Sequence, residues 1–295
     1  MSKERDSPMH IVRDMLVAQL DKSVAALQGR GARDPVIHDV RTELKRARAS
    51  LRLMRKCIGA RAYHRENLVI RDAARQLGAA RDATVLLNRF SGLKRAKDSG
   101  GEKTFGLRVS RILQKERRER RQRLDGSAMA VTALQDARRR LASIPAPQLE
   151  RAAVSVGIGR VYKSGRRAFA LVQQKTTDAR LHECRKQAKY LFNQIDIVSR
   201  MSGGHFTRLR KQSYRLAEWL GQDHDLAVLQ QKIEQISSAE GLAADSREVR
   251  VWADRVRRQR AVLQRKARKL GKRLYSQRPN QFRAHIDDRL RIKLP

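Results

Sequence analysis

An all-α fold is what this sequence predicts, and three observations predict it. Of 295 residues only 4% are aromatic and only 6 are Pro. A sandwich or barrel draws more heavily on aromatic and β-branched residues and on turns. The chain is instead rich in Ala, Leu, Arg, Gln, Glu and Lys, which lose least on entering a helix. Its apolar residues recur at spacings of three and four, the signature of one helix face. A hydrophobic fraction of 40% is enough for a core, so a folded chain is expected rather than disorder throughout.

The elements follow in order. The periodicity places helices at 8–28, 35–58, 61–77, 80–97, 103–125 and 128–143, then at 147–174, 178–201, 204–220, 222–238, 244–275 and 279–291. Punctuation falls between them. Gly29 and Gly31 close the first helix and Gly59 the second. Ser99, Gly100 and Gly101 separate the fourth from the fifth, and Gly126 the fifth from the sixth. The stretch from Ile144 to Pro147, with Pro145 and Pro147, sits almost at the midpoint and is the best linker. Gly203 and Gly204, Gly241 and Pro279 mark the later breaks. Two units are expected on this basis, 8–144 and 148–291.

The chain also repeats itself. HDVRTELKRAR at 38–48 matches HECRKQAKYLF at 182–192, so that His38, Arg41 and Lys45 align with His182, Arg185 and Lys189. LGAARDATVLL at 77–87 matches LGQDHDLAVLQ at 220–230, pairing Asp82 with Asp225. The offsets are 144 (38 to 182) and 143 (77 to 220). Two blocks in the same order at nearly one offset indicate a duplicated helical unit, and hence two bundles related by a pseudo-twofold axis.

Sixty-seven Lys and Arg against 30 Asp and Glu leave a net charge of +37. That charge repels itself unless a polyanion neutralises it. Nucleic acid, an anionic membrane surface and other phosphate polymers are the candidate classes. Scarce aromatics argue against reading single strands by base stacking, but not against binding a duplex backbone by charge. Part of the Arg content belongs on ordinary solvated helix faces. The N-terminal MSKERDSPMH lacks an apolar signal core, and no run approaches the ~18 apolar residues of a membrane span. Cys57 and Cys184 form no CxxC, so neither a disulfide framework nor a zinc signature is read. A reducing cytoplasmic location without membrane insertion is the expectation.

The charge is patterned. His38, Arg41, Lys45, Arg48 and Arg52 fall within an arc of about 80° on one helix face, a stripe about 21 Å long. Ile37, Val40, Leu44, Ala47 and Leu51 occupy the adjacent arc, so the stripe borders the core and should face a groove between helices. Cations between low-dielectric walls focus a positive field. In the second copy His182, Arg185 and Lys189 keep the geometry, the next stripe positions become Phe192 and Asp196, and Leu181, Cys184, Ala188 and Leu191 form the core face. Asp82, Asp225 and Asp196 are the few acids placed to pair with an Arg. Neither His38 nor His182 has a Cys or His three or four residues on, which argues against a metal site.

HDVRTELKRARASLR, LGAARDATVLL, GRVYKSGRRAF, LHECRKQAKYLFNQID, LGQDHDLAVL and RKARKLGKRLYSQRPNQF together resemble the CHAD family (conserved histidine α-helical domain). The six segments cover most of the chain from about 8 to 291. The resemblance implies two pseudo-symmetric four-helix bundles around a basic central groove or pore that binds inorganic polyphosphate. The chain looks like a stand-alone domain.

Carried over residue by residue, the positions implied for polyphosphate are His38, Arg41, Lys45, Arg48, Arg52 and Arg81 in the first half. In the second they are Arg160, Arg166, His182, Arg185 and Lys189. His224 stands where Arg81 stands, a departure that puts a fixed charge there in doubt. Asp82 and Asp225 read as structural. The expected function is non-enzymatic, with no cofactor and no metal, and a place on polyphosphate granules fits it. The alternative is a sequence-nonspecific nucleic-acid binder acting by charge alone. An enzyme on polyphosphate would need paired carboxylates for a divalent metal, a P-loop or an activated His, and the matched motifs offer neither of the first two. The dense basic runs at 103–125 and 255–273 must point several ways around their helices, so only part of each can face one ligand.

Overall fold

The protein is described here by a computed structural model covering residues 8–30, 34–94, 98, 100–122, 127–144, 151–243 and 246–291. Those residues contain eleven helices and no strand. They are α1 (Pro8–Arg30), α2 (Asp34–Leu53), α3 (Arg55–Gln76), α4 (Gly78–Ser91), α5 (Gly100–Gln122) and α6 (Ser127–Ala142), then α7 (Arg151–Gln174), α8 (Asp178–Met201), α9 (Thr207–Ala239), α10 (Arg247–Leu274) and α11 (Pro279–Arg291). None is long and apolar enough to cross a membrane. Pro145 to Pro147, the expected linker, lie outside the described residues.

The expected core faces are in the core. Ile37, Val40, Leu44, Ala47 and Leu51 of α2 are all buried, as are Leu181, Cys184, Ala188 and Leu191 of α8. These stripes belong to one apolar cluster, which also takes Leu16 and Leu20 of α1, Ile158 and Tyr162 of α7, Leu216 of α9 and Phe282 of α11. Tyr162 and Phe282 stack at 3.7 Å between centroids. A second cluster joins Phe90 of α4, Val109 and Leu113 of α5, Leu229 and Ile233 of α9, and Trp252 and Val256 of α10. Both clusters draw on helices from before and after the chain midpoint. In the second, Phe90 stacks on Trp252 at 4.7 Å, and the Trp252 indole N–H donates to the Glu102 carbonyl at 3.1 Å.

Two boundaries differ from the sequence expectation. The second helix does not run to Gly59; it ends at Leu53, and α3 begins at Arg55 and kinks at Gly59, where φ is +79°. That left-handed backbone is open to Gly at no steric cost. The expected break near residues 220–222 is absent, and α9 runs unbroken through Gly221. A mid-helix Gly costs only about 1 kcal/mol against Ala, and burial of Leu216, Leu220, Leu226 and Leu229 on the same helix outweighs it. The corresponding point of the first half does break, at Leu77 between α3 and α4. The turn into α9 uses Gly203 and Gly204, at φ +59° and +95°.

Several acids hold helices together. Glu66 of α3 is buried and accepts from Arg65 and from both Nε and Nη2 of Arg140 on α6. Asp223 of α9 pairs with Arg260 of α10 at 3.1 Å, and Asp196 of α8 with Arg200 and Arg210. Arg255 is buried against Asp98 and Glu102 at 2.5 and 3.3 Å.

Candidate functional site

Helices α2, α4, α8 and α9 pack around one groove, with α2 against α4 and α8, and α4 and α8 both against α9. Two adjoining hollows, of about 620 and 430 Å³, make it up. Both are lined by His38, Lys45, Arg185, Lys189 and Asp225, so they form one continuous space. Arg41 lines the smaller hollow together with Arg185. The cationic stripes of α2 and α8 therefore meet across a shared groove.

The stripes reach it because each runs beside a buried apolar stripe. Packing the apolar faces of α2 and α8 turns the neighbouring arcs toward each other. On α8 the start is fixed by Thr177, whose hydroxyl accepts from the Arg180 amide at 3.3 Å, with Asp178 in the first turn. Both features favour a helix N-terminus.

Two Arg residues are held in matching ways. Arg41 donates to the Ala74 carbonyl at 2.8 Å and lies 3.5 Å from Asp82. Arg185 lies 3.9 Å from Asp225, which also faces Arg89 at 3.7 Å. The aspartates expected to hold Arg residues therefore do so. Neutralisation is incomplete: Nε of Arg185 is buried with no hydrogen-bond partner. A buried, unsatisfied charged donor is costly, and a bound anion would satisfy it.

Burial and crowding set the protonation of the groove. Loss of solvent, with Arg185, Lys45 and Arg41 close by, pushes the Lys189 ammonium down to about 7, and Asp225 opposes the shift. Burial likewise raises the Asp225 carboxyl above its usual range, against the pull of Arg185, Arg89 and Lys189. His224 is pushed down to about 4 by burial and by Arg185, His182 and Lys189. It is therefore a neutral imidazole at pH 7, and its Nδ1 lies 3.5 Å from Nδ1 of His182. His182 lines neither hollow and packs against His224, with ring centroids 4.8 Å apart, whereas His38 lines both hollows.

Arg48, Arg52, Arg160 and Arg166 do not line the groove. Arg48 turns toward α3, where Nε donates to the Asn67 side chain at 3.0 Å. Arg52 stacks over the Tyr190 ring, 3.7 Å from its centroid. Arg166 donates to the Tyr275 carbonyl and lines a separate surface hollow with Lys163, Arg167 and Lys272. Arg160 is exposed on α7. The side chain of Arg81 lies outside the described residues. The groove also contains cations that the sequence reading missed: Arg46, Arg89, Arg210 and Lys211. Arg89 carried a signal, since it lies seven residues after Asp82 on the same face of α4. Arg210 and Lys211 carried none before the path of α9 was known. No group of three His, Cys, Asp or Glu side chains able to hold a metal occurs among the described residues.

The CHAD domain profile matches residues 14–234, most of the chain. The chain belongs to the CHAD domain family. Among solved structures, the crystal structure of the CHAD domain from the plant Ricinus communis is similar in fold, with a TM-score of 0.67. It shares 20% sequence identity, and the match covers 95% of this chain and 96% of that one. No curated protein sequence matches the chain.

Proposed function

We propose that this CHAD domain binds inorganic polyphosphate in the groove between α2 and α8 and performs no catalysis on it. The observation that carries this reading is the meeting of two cationic stripes in one space where acids are outnumbered. His38, Arg41, Lys45, Arg185 and Lys189 face Asp82 and Asp225 there. Polyphosphate is a flexible chain with roughly one negative charge per unit. It would take charge-assisted hydrogen bonds from Arg and Lys, bidentate where a guanidinium fork is free. Arg185 Nε offers one such donor. The neutral His224 adds a hydrogen-bonding group without adding charge. Its partner would be polyphosphate in the cytoplasm, on polyphosphate granules where these form.

Binding by released counterions weakens as salt rises, and that holds for any polyanion. Competition separates the readings. In a native-gel retention assay at moderate salt, unlabelled polyphosphate should displace labelled polyphosphate at a far lower phosphate concentration than duplex DNA does. Equal competition by duplex DNA would assign the protein to charge-only nucleic-acid binding instead. Inorganic phosphate release in the presence of Mg²⁺ tests the non-enzymatic part, and steady release would contradict it.

A further inference from the structure

A further hollow, of about 640 Å³, lies beside the groove, between the N-terminal half of α9 and the C-terminal half of α10. Six cations line it: Arg208, Lys211 and Arg215 from α9, and Lys266, Lys269 and Arg273 from α10. Each set is spaced by three and four, so it spans an arc of only about 40–60° on its helix. All six are exposed, no acid lines the hollow, and none of the six forms an ion pair among the described residues. Elsewhere α9 and α10 do pair their charges, as Arg210 with Asp196 and Arg260 with Asp223. Two facing rows of unpaired like charges repel each other across the hollow, so an anion between them is stabilising.

Trp219 and Leu270, both half-buried, line the hollow beside the six exposed cations, and an apolar, low-dielectric wall strengthens the field of neighbouring charges. Continuity with the groove comes from Lys211, which lines both spaces. On α9 the groove face, with Tyr214, Gly221 and Asp225, occupies the arc next to the face of Arg208, Arg215 and Trp219, and Lys211 stands at the border. A linear polyanion leaving the groove meets no acid wall on this path other than Glu218, which accepts from the Gln222 amide.

We propose that the α9–α10 face is a second anion track, which takes further phosphates of the same polyphosphate chain after it leaves the groove past Lys211. The inference rests on the groove reading above, and it names the ligand more closely: a linear phosphate polymer long enough to occupy both tracks. Linking two sites on one chain makes the second contact intramolecular, so affinity rises with chain length without any new residue.

The test compares tripolyphosphate with long-chain polyphosphate by titration on the full chain. Arg215→Glu, Lys266→Glu and Lys269→Glu are combined, and circular dichroism verifies the helices. A Gln version of the three sites guards against misfolding caused by reversal. The expected result is about a tenfold or greater loss for the long chain, a smaller loss in the same direction for the Gln version, and little change for tripolyphosphate. Retained long-chain affinity in both variants overturns the inference and leaves the groove reading standing. An equal loss for tripolyphosphate also overturns it, because the effect would then be general charge. So does loss of single-stranded RNA binding with polyphosphate affinity intact, which would give the face to nucleic acid. The groove reading fails separately, if Arg185→Glu with Lys189→Glu leaves tripolyphosphate binding unchanged.

Discussion

Lys189 is the side chain whose charge depends most on where it sits. Arg185, Lys45 and Arg41 crowd it, Asp225 partly offsets them, and Asp82 and His224 line the same space. An ammonium held near 7 is half charged at neutral pH, and an arriving polyanion favours the protonated form. Polyphosphate binding should therefore tighten as pH falls from about 8 to about 6, with proton uptake on binding. Lys189→Met should flatten that slope relative to wild type, and isothermal titration in buffers of different ionisation enthalpy reads the protons directly. An identical slope in the variant would exclude Lys189 as the source. The same shift acts on stability. The ordinary value is 10.5 and the folded value about 7, so the unfolded chain binds more protons between them. Stability then rises with pH from about 7 to 10.5, and the cost of burying the ammonium is fully present below 7. Lys189→Met should lose that rise in urea unfolding. The cysteines should be inert at neutral pH, because burial pushes Cys184 up to about 12 and Cys57 up to about 11. Thiol reagents should label Cys184 only on unfolding.

At the scale of the helix, fixed Arg–carboxylate pairs do much of the joining. Arg255 of α10 is buried against Asp98 and Glu102 and lies over Trp252, 4.5 Å from its ring. Arg255→Ala would strand two carboxylates and should cost about 3–5 kcal/mol, seen as a lower urea midpoint. Arg257→Ala, on the same helix but exposed beside Asp254, should change stability by less than about 1 kcal/mol. The contrast marks what could be read from sequence. The stripes of α2 and α8 were legible because a cationic arc and an apolar arc ran side by side for several turns, and only one orientation buries the apolar one. Asp82 and Asp225 were legible because few acids were available. Arg48 and Arg52 keep the stripe's spacing, but α3 folds back over that end of α2 and claims Arg48 through Asn67. The basic run at 255–273 has charges all around its helix, so no periodicity could choose Lys266, Lys269 and Arg273 before packing did. The unbroken α9 was hidden by Gly221, whose weak helix preference gives way to the buried leucines around it.

Across the whole molecule the question is whether +37 acts as a cloud or as a placed charge. In the groove Lys and Arg outnumber Asp82, Glu218 and Asp225, while several other acids lie at helix–helix contacts, so a local excess of positive charge sits where the stripes meet. A matched pair of variants tests this most directly. One carries Arg41→Glu, Lys45→Glu, Arg185→Glu and Lys189→Glu in the groove. The other carries Lys103→Glu, Arg111→Glu, Arg250→Glu and Arg258→Glu at exposed positions on α5 and α10. Each substitution removes two units, so both chains fall from +37 to +29. With helicity verified, polyphosphate affinity is measured for each at one salt concentration. Placed charge predicts a loss of at least about a hundredfold in the groove variant and a few-fold at most in the outer one; equal losses in the two would contradict the account.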